Sequence, residues 1–316
     1  MPGNLGRVRV IRTFDELSAI ADKIGIAIGV FDGVHLGHQS VIRAALDDAA
    51  AVDGTAVVLT FDPHPMRVLA PDKAPPLLTS TQHKLALIEL MGVPVCLMIP
   101  FTIEFGRTEP DPFLNLVFQS ARNLKSICVG HAFRFGHERK GNVQTILAFG
   151  RERGVRVDVM PPVTSNGETI SSTTIRKAVS GGDLARAERM LGRPFSVLGS
   201  VEGGDQIGRK LGYPTANLNP HNEVLPPNGV YVVRALHEKK KLSGIVNIGV
   251  RPTMAAHATD RRFELHVLDF SGDLYGKTLE VSFVQKLRDE QKFDSPEMLK
   301  AQIARDEAEA RRILAA

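Results

Sequence analysis

The chain has 316 residues, which is more than one ordinary hydrophobic core accommodates and fits two domains. Hydrophobic residues make up 43% of it and charged residues 23%, a composition typical of globular proteins rather than of disordered chains. The net charge of +4 is spread evenly, since residues 1–187 carry 20 Lys and Arg against 18 Asp and Glu, and residues 188–316 carry 19 against 17. Each part is therefore +2, which argues against a dedicated nucleic-acid-binding face.

Cysteine usage and the N-terminal residues favour a cytoplasmic protein. Cys96 and Cys128 each lie in an apolar, strand-like run without a metal-type partner nearby in the sequence, so we expect buried, reduced thiols. Charged residues interrupt the N-terminal stretch, where a signal peptide would be apolar. No apolar run approaches the length of a membrane span.

The first part of the chain alternates apolar strands with amphipathic helices. Ile42, Ala45, Leu46 and Ala49, for example, have the i, i+3, i+4, i+7 spacing of one helical face. The predicted strands lie at 24–31, 56–61, 93–99, 126–129 and 155–160, and the predicted helices at 40–51, 81–91, 112–121 and 143–153. This alternation predicts an α/β fold with a parallel sheet covered by helices on both faces, in which ligands bind at the carboxyl ends of the strands.

The pattern changes after two further predicted helices, at 171–180 and 184–191. Short β-type runs then follow at 195–201, 229–235, 244–248, 262–269 and 278–283, separated by turns rich in Gly, Pro and Asn. They predict a small antiparallel β-barrel, followed by a C-terminal helix with Ser295 as N-cap and Pro296 as its first residue. We therefore predict one domain over residues 1–187 and a second over residues 188–316.

The segment 29–38 (GVFDGVHLGH) leaves the first buried strand and enters a helix, where backbone N–H groups can face an anion. His35 and His38 are three apart, so they share a face of the first helical turn and can donate hydrogen bonds to charge that builds on phosphorus. The glycine between them, Gly37, leaves room for a nucleotide. The phosphate-binding residues predicted here are Gly29, Phe31, Asp32 and Gly37. The alternatives are a pair of surface histidines or a metal site, although two histidines are too few for a closed zinc site.

Two more segments follow predicted strands and are expected at the same edge of the sheet. Residues 60–65 (TFDPHP) follow the second strand, and residues 129–141 (VGHAFRFGHERKG) follow the fourth. The latter segment contains two phenylalanines that either pack or stack on a ligand ring. It also offers three basic side chains for phosphate: Arg134, Arg139 and Lys140.

A last segment of the first part, residues 170–176 (ISSTTIR), follows the final predicted strand. Ser172 and Thr173 offer hydroxyl and N–H groups at a helix start, and Arg176 offers a planar fork for phosphate. Taken alone, the segment is also consistent with an ordinary capped helix.

The most informative segment of the second part is 208–217 (GRKLGYPTAN). Gly208 lets the backbone approach a phosphate closely, and Arg209 and Lys210 supply positive charge. Thr215 and Asn217 are two apart, so in an extended segment both side chains point to one side and suit a magnesium ion held by nucleotide phosphates. The alternative is a polar loop before a barrel strand.

A candidate base interrupts the strand pattern RRFELHVLD. Phe263, Leu265 and Val267 lie on one face, so Glu264 and His266 share the other. Phosphoryl transfer to an alcohol needs a group that orients the hydroxyl, and Glu264 is our candidate for that base. The alternative is a solvent-facing edge position.

The ordered series GVFDGVHLGH, TFDPHP, VGHAFRFG, ISSTTIR, GRKLGYPTAN, LPPNGVY, NIGVRPT and FELHVLDFSGDLYG resembles the bacterial bifunctional riboflavin kinase/FMN adenylyltransferase family over about residues 10–310. The resemblance implies an N-terminal Rossmann-like nucleotidyltransferase domain and a C-terminal riboflavin kinase barrel. It implies ATP as co-substrate, Mg²⁺ as the cation, and riboflavin, FMN and FAD as substrates and products. It implies neither a nucleic-acid nor a membrane partner, and it leaves weak self-association open.

The resemblance also implies residue roles. His35 and His38 would bind ATP phosphates and stabilise the transition state, and Ser172, Thr173 and Arg176 would hold the triphosphate from the opposite side. In the kinase barrel, Glu264 would be the base for the ribityl hydroxyl. Two further candidates for the rim of the flavin site are Asn247 and Arg251. Arg288 would contact the flavin or its phosphate, with a helix-surface salt bridge as the alternative.

The sequence departs from the family pattern at Ala132, where the family has Asp or Asn, and at Thr174, where it often has Arg or an aromatic residue. Ala132 motivates one rival interpretation, a riboflavin kinase with an impaired adenylyltransferase domain. A flavin-binding module without catalysis is a second rival, which the histidine pair and Glu264 argue against. RNA binding is a third, which the even charge distribution disfavours.

Overall fold

The computed structural model describes residues 7–202, 215–237, 240–250 and 261–315. In its first part, helices and strands alternate, as predicted. The strands are β1 (Arg9–Ile11), β2 (Ile24–Ile28), β3 (Thr55–Asp62), β4 (Val95–Pro100), β5 (Leu124–Gly130), β6 (Arg156–Met160), β7 (Thr164–Ser165) and β8 (Glu168–Thr169). The helices are α1 (Phe14–Ser18), α2 (Leu36–Ala50), α3 (Pro65–Leu69), α4 (Thr81–Leu90), α5 (Ile103–Gly106), α6 (Pro110–Ser120) and α7 (Val143–Arg153), with 3-10 helices at Pro71–Lys73 and His137–Arg139.

Strands β1 to β6 form one parallel sheet in the order β1-β4-β3-β2-β5-β6, which confirms the predicted α/β architecture. The chain runs outward in one direction from β2 through β3 to β4, and in the other through β5 to β6. The order therefore reverses between β2 and β5, and crevices at the carboxyl ends of such strands are where ligands bind in open α/β sheets. Strand β1 is only three residues long and was not predicted.

Two apolar clusters cover the two faces of this sheet. Neighbouring residues of a strand point to opposite faces, so Ile26 and Val57 belong to one cluster, whereas Ala27 and Val58 belong to the other. Every residue of β2 is buried, which is typical of a strand in the interior of a parallel sheet. The sheet is thus a rigid support for the turn that leaves β2.

The second part begins with helices α8 (Ser172–Ser180) and α9 (Leu184–Leu191). Six antiparallel strands follow and close into a barrel in the order β10-β13-β12-β11-β14-β9, which confirms the predicted barrel. Helix α10 (Pro296–Ala315) is the predicted C-terminal helix. The strands are β9 (Ser196–Glu202), β10 (Thr215–Pro220), β11 (Gly229–His237), β12 (Lys240–Val250), β13 (Arg261–Val267) and β14 (Thr278–Arg288).

Contacts divide the chain into two compact units. The first comprises residues up to Pro76 together with Thr81–Ser172, and the second comprises Leu77–Ser80 together with the residues from Thr173 onward. By this division α9 and all of α8 after Ser172 group with the barrel, and the predicted domain boundary after residue 187 stays a prediction.

Both cysteines are buried free thiols, as predicted. Burial raises the pKa of Cys96 to about 12, and burial beside Asp48 raises the pKa of Cys128. Within the described ranges, we find no helix that combines the length and the apolar character needed to cross a membrane.

Candidate active sites

The turn between β2 and α2 has an unusual backbone. Phe31 (φ 55°) and Val34 (φ 39°) adopt left-handed conformations although neither is glycine, and Gly33 between them has φ 84°. Such conformations are costly for residues with a Cβ and persist only where the surroundings hold them. Here, Gln39 Nε2 donates to the Val34 carbonyl at 3.0 Å, and Ser172 Oγ donates to the Asp32 carbonyl at 2.9 Å.

His35 and His38 lie at the start of α2. His35 is the N-cap, and its Nδ1 accepts the backbone N–H of His38 at 3.2 Å. The helix therefore begins at Leu36, four residues before the predicted start, because an imidazole acts here as a cap where Ser, Thr, Asp or Asn is usual. An Nδ1 that accepts a hydrogen bond carries no proton, so His35 is neutral with its proton on Nε2.

The two imidazole rings are stacked, with centroids 3.5 Å apart and planes 20° from parallel. Phe31 contacts His38 edge-to-face at 5.4 Å. Burial, together with the neighbouring His35 and Lys84 side chains, lowers the pKa of His38 well below its usual value. Nδ1 of His38 is buried and lacks a hydrogen-bond partner among the residues described. Both histidines are thus neutral near pH 7 and share the helix face that their spacing predicted.

The glycines of this motif make room for its aromatic rings. A Cβ on Gly37 would lie 3.2 Å from Nδ1 of His35, and a Cβ on Gly29 would lie 2.8 Å from the ring of Phe31. A side chain at position 37 would thus crowd the His35 ring, and the predicted role of Gly37 in leaving room for a nucleotide stays a prediction.

Ser172 is the first residue of α8, and its hydroxyl ties that helix start to the turn that contains Asp32. Thr173 and Arg176 follow in the same helix, which the contacts group from Thr173 onward with the barrel. Their predicted role in binding the triphosphate stays a prediction.

Lys84 is a residue that the sequence reading missed. It lies in α4 and is only 7% exposed, although lysine at a helical position normally marks the solvent face. Its ammonium group donates to the Val30 carbonyl, in the turn that leads from β2 to the histidines, and to the Phe61 carbonyl near the end of β3. No sequence signal distinguishes it from a surface lysine.

The segment 129–141 supports the packing interpretation of its phenylalanines. Phe133 stacks on Phe135 at 5.5 Å, and Phe135 contacts Phe113 at 5.6 Å. Lys140 pairs with Glu109 at 3.0 Å, so one of the three predicted basic contacts is engaged by a carboxylate. The exposed positions of this segment include Ala132, Arg134 and Arg139.

In the barrel, three candidate residues from distant parts of the sequence lie side by side. Asn217 of β10 pairs with Glu264 of β13, and Glu264 pairs on its other side with Asn247 of β12. Residues directly opposite on neighbouring strands point to the same face, with Cβ atoms about 5 Å apart. This polar row thus unites a predicted metal ligand, the predicted base and a predicted flavin contact.

The polar row lies on the outer surface of the barrel. Phe263, Leu265 and Val267 of β13 are buried, and Glu264 between them is half-buried, as the alternation predicted. Thr215 is exposed and lies opposite His266, one position along the same face. Arg262, which the sequence reading did not single out, pairs with Glu264 at 3.2 Å.

Arg288 differs in location from the prediction. It ends strand β14 and does not lie on a helix, and its guanidinium pairs with Asp306 of α10, with Nη2 to Oδ2 at 2.7 Å. Both partners are largely buried, so the pair ties the last strand to the last helix. The flavin contact proposed for Arg288 stays a prediction. Four other predicted residues lie outside the described residues: Gly208, Arg209, Lys210 and Arg251.

The fold also unites one group that sequence spacing did not reveal. Cys128 of β5, Asp158 of β6 and Asp48 of α2 bring potential metal-ligand atoms within 4.8 Å of one another. Arg156 pairs with both carboxylates, at 3.3 Å to Asp48 and 2.9 Å to Asp158. Burial and the neighbouring Asp48 carboxyl raise the pKa of Asp158. The group is thus an ion-pair cluster whose negative charge Arg156 already compensates.

Comparison with known proteins relates each part of the chain to a family. A family model for FAD synthetase matches residues 18–174, and a model for riboflavin kinase matches residues 191–314. A bifunctional riboflavin kinase/FMN adenylyltransferase of Escherichia coli (strain K12) is 37% identical over 96% of this chain and 97% of its own. The protein of the same description from Haemophilus influenzae is 34% identical over 95% of this chain and 97% of its own.

A solved structure is similar over most of the chain. It is described as a macrolide-efflux protein from Streptococcus pneumoniae, with a TM-score of 0.82, 29% identity, and coverage of 96% of this chain and 99% of that one. That description matches neither family model, so the assignment follows the family models and the relatives. On those grounds, the chain belongs to the family of bifunctional riboflavin kinase/FMN adenylyltransferases, the enzymes that convert riboflavin to FMN and FMN to FAD.

Proposed function

We propose that the chain carries out the two reactions of its family with two separate sets of side chains. His35 and His38 serve the adenylylation of FMN, and the polar row Asn217, Glu264 and Asn247 serves the phosphorylation of riboflavin. The observation that carries this proposal is that each of the two matched segments contains its own compact set of polar groups suited to one of these reactions.

Adenylyl transfer requires charge stabilisation more than covalent participation by the protein. A phosphate oxygen of FMN attacks the α-phosphorus of ATP, the bond from that phosphorus to the bridging oxygen breaks, and pyrophosphate leaves. Negative charge builds on the phosphorus oxygens, and donors fixed in advance stabilise it at little reorganisation cost. A neutral His35 with its proton on Nε2 is such a donor, and the N–H groups at the start of α2 add to it. Ser172, whose hydroxyl bonds to the Asp32 carbonyl, is proposed to contribute to the triphosphate site. The triphosphate contacts that the resemblance implies for Thr173 and Arg176 remain predictions.

Phosphorylation of riboflavin requires a base and a phosphate cradle. Glu264 accepts the proton of the terminal ribityl hydroxyl, whose oxygen attacks the γ-phosphorus of ATP while ADP leaves. The ion pair with Arg262, at 3.2 Å, holds the Glu264 carboxylate in place on this face of the barrel. Asn247 lies beside it in the polar row and is proposed to orient the flavin.

Mg²⁺ is the cation that fits the proposed kinase site. Thr215 and Asn217 both belong to β10 on the face of Glu264, and each offers a neutral oxygen of the kind that magnesium accepts. Mg²⁺ bound there would neutralise charge on the ATP phosphates. Thr215 and Asn217 are the residues proposed to hold it, and the phosphate contacts expected from residues 208–210 remain a prediction.

A paired assay tests the proposal. Purified protein is incubated with ATP and Mg²⁺ and either riboflavin or FMN, and the flavins are separated by chromatography. We expect FMN and FAD from riboflavin and FAD from FMN, with both reactions stopped by a chelator. FMN without FAD would favour a kinase with an impaired adenylyltransferase, the rival that Ala132 motivates. The absence of both products would overturn the proposal and favour a flavin-binding module.

A further inference from the structure

The ammonium group of Lys84 lies beside the turn that follows β2. It donates to the Val30 carbonyl at 3.3 Å and to the Phe61 carbonyl at 3.2 Å, so it joins the start of that turn to the end of β3. Its third partner, at 3.2 Å, is Oγ1 of Thr60, which in turn donates to the Val30 carbonyl at 3.0 Å. An ammonium group has three donors, and these three acceptors use all of them.

The bonded carbonyl of Val30 immediately precedes the strained part of the turn. Phe31 and Val34 hold left-handed backbone conformations that cost free energy, and their geometry leads directly into His35. A buried hydrogen-bond network of this kind fixes a unique backbone arrangement only when its members are satisfied. Lys84 therefore fixes the backbone position at which the turn begins.

Burying a lysine is expensive, and a purely structural role does not require its charge. Three neutral acceptors can be satisfied without a cation. Burial lowers the pKa of Lys84, and the carboxyl groups of Asp32, on the turn, and Asp62, at the end of β3, oppose that shift. Burial and the neighbouring His35 lower the pKa of His38, and the charge of Lys84 adds to that shift.

We propose that Lys84 is a positioning residue for adenylyl transfer, which fixes the turn between β2 and α2 through the Val30 carbonyl and places a positive charge at the start of the turn that leads to the stacked histidines. This inference rests on the role proposed above for His35 and His38. Lys84 itself is not proposed to contact substrate. Its charge adds to the effect of burial in lowering the pKa of His38, and it contributes to the positive field in which the pentacovalent phosphorus forms.

The test compares Lys84→Met, which keeps much of the side-chain volume but removes the charge and the donors, with Lys84→Arg, which keeps the charge. Lys125→Met, an exposed lysine of the same unit, is the matched control. We expect Lys84→Met to lower kcat for FAD formation from FMN about 10- to 100-fold, because a displacement of the order of 1 Å at the reacting groups has such effects. The formation of FMN from riboflavin is expected to change little, and Lys125→Met to behave as the unchanged protein.

The pH profile separates positioning from a general loss of folding. If neutral His38 is the active form, activity is lost as pH falls through its pKa, which Lys84 depresses. Removal of the charge raises that pKa, so the acid limb of the FAD-forming profile moves to higher pH in Lys84→Met and returns toward its original place in Lys84→Arg. The imidazole C–H resonance of His38, assigned from its absence in His38→Ala, is expected to titrate at correspondingly higher pH.

Two outcomes would overturn the inference. One is a folded Lys84→Met with kcat within about two-fold of the original and an unshifted acid limb. The other applies if Lys84→Met does not fold. It is a folded Lys84→Arg in which the pKa of His38 rises to that of free imidazole, although the positive charge is retained. If instead His38→Ala retains full FAD formation, the proposed function of the histidines has failed, whatever Lys84 does.

Discussion

The two units build their candidate sites by different means. In the first, a few residues of one turn are fixed by side-chain hydrogen bonds, a buried ammonium group and stacked rings, and the site is largely buried. In the barrel, the candidate residues come from three strands and are aligned by strand register on a half-exposed outer face. The first site thus depends on local strain held by packing, whereas the second depends on the pairing of distant segments.

This difference suggests how each site responds to substitution. A residue of the turn is coupled to its neighbours through backbone geometry, so loss of one contact displaces several groups. A residue of the polar row lies on a closed barrel, and strand pairing positions each side chain of the row separately. Loss of one side chain therefore leaves the others in register. The following predictions use this comparison.

The largest effect is expected for Glu264→Gln, which keeps the shape of the side chain but removes the proposed base. FMN formation from riboflavin is expected to fall about 100- to 10,000-fold, since loss of a positioned general base has that range of effect. FAD formation from FMN is expected to be unchanged, as measured with FMN as the substrate. The matched control is Glu309→Gln on the exposed side of α10, and an equal loss of both reactions in Glu264→Gln would contradict the separation of the sites.

His38→Ala is expected to have the converse effect. FAD formation from FMN should fall about 100- to 1,000-fold, the cost of removing one donor from a charge-stabilising site, while FMN formation persists. His237→Ala in the barrel serves as the control for loss of a histidine. FAD formation that survives His38→Ala at its original rate would remove the turn from the proposed mechanism.

A smaller effect is expected for Asp306→Asn, which weakens the pair that ties α10 to β14. Arg288 is largely buried beside this carboxylate, and hydrogen bonds to charged groups contribute about 1.5 to 3 kcal/mol to stability. We expect the free energy of unfolding of the barrel to fall by about 2 kcal/mol, as measured by denaturant titration. Asp294→Asn, an exposed control, should have little effect, and a similar loss in both variants would argue against the pair.

The smallest functional effect is expected when the folded protein is exposed to a reagent that alkylates thiols. A pKa of about 12 leaves Cys96 almost entirely protonated at pH 8, and Cys128 is likewise shifted upward. Alkylation by iodoacetamide at pH 8 is expected to be at least about 100-fold slower in the folded protein than in urea, with no loss of either activity beforehand. Rapid modification of either thiol in the native protein would show that the sheet of the first unit opens readily.

Local patterns predicted the sheet, the barrel and the spacing of His35 and His38, because strand alternation and helical periodicity are encoded by neighbouring residues. The start of α2 was predicted too late, because the cap is a histidine. Strand β10 was expected only as an extended segment, since TANLNP lacks the regular alternation of a typical strand and contains a single β-branched residue, Thr215.

The remaining features depend on tertiary structure. The alignment of Asn217, Glu264 and Asn247 follows from the register of three strands that are distant in sequence, and no local pattern encodes that register. Lys84 reads as a surface lysine because its burial depends on which face of α4 packs against the sheet. The grouping of Cys128 with Asp48 and Asp158 was also missed, because it depends on how β5, β6 and α2 pack together.

The central claim is that two independent sites use different parts of ATP, and ATP carrying distinguishable labels on its α- and γ-phosphorus tests it most directly. With riboflavin, the unchanged protein should place the γ label in FMN and both labels in FAD. His38→Ala should place only the γ label in flavin, and Glu264→Gln supplied with FMN should place only the α label. Transfer of the α label to flavin by His38→Ala, or of the γ label to riboflavin at the original rate by Glu264→Gln, would contradict the account.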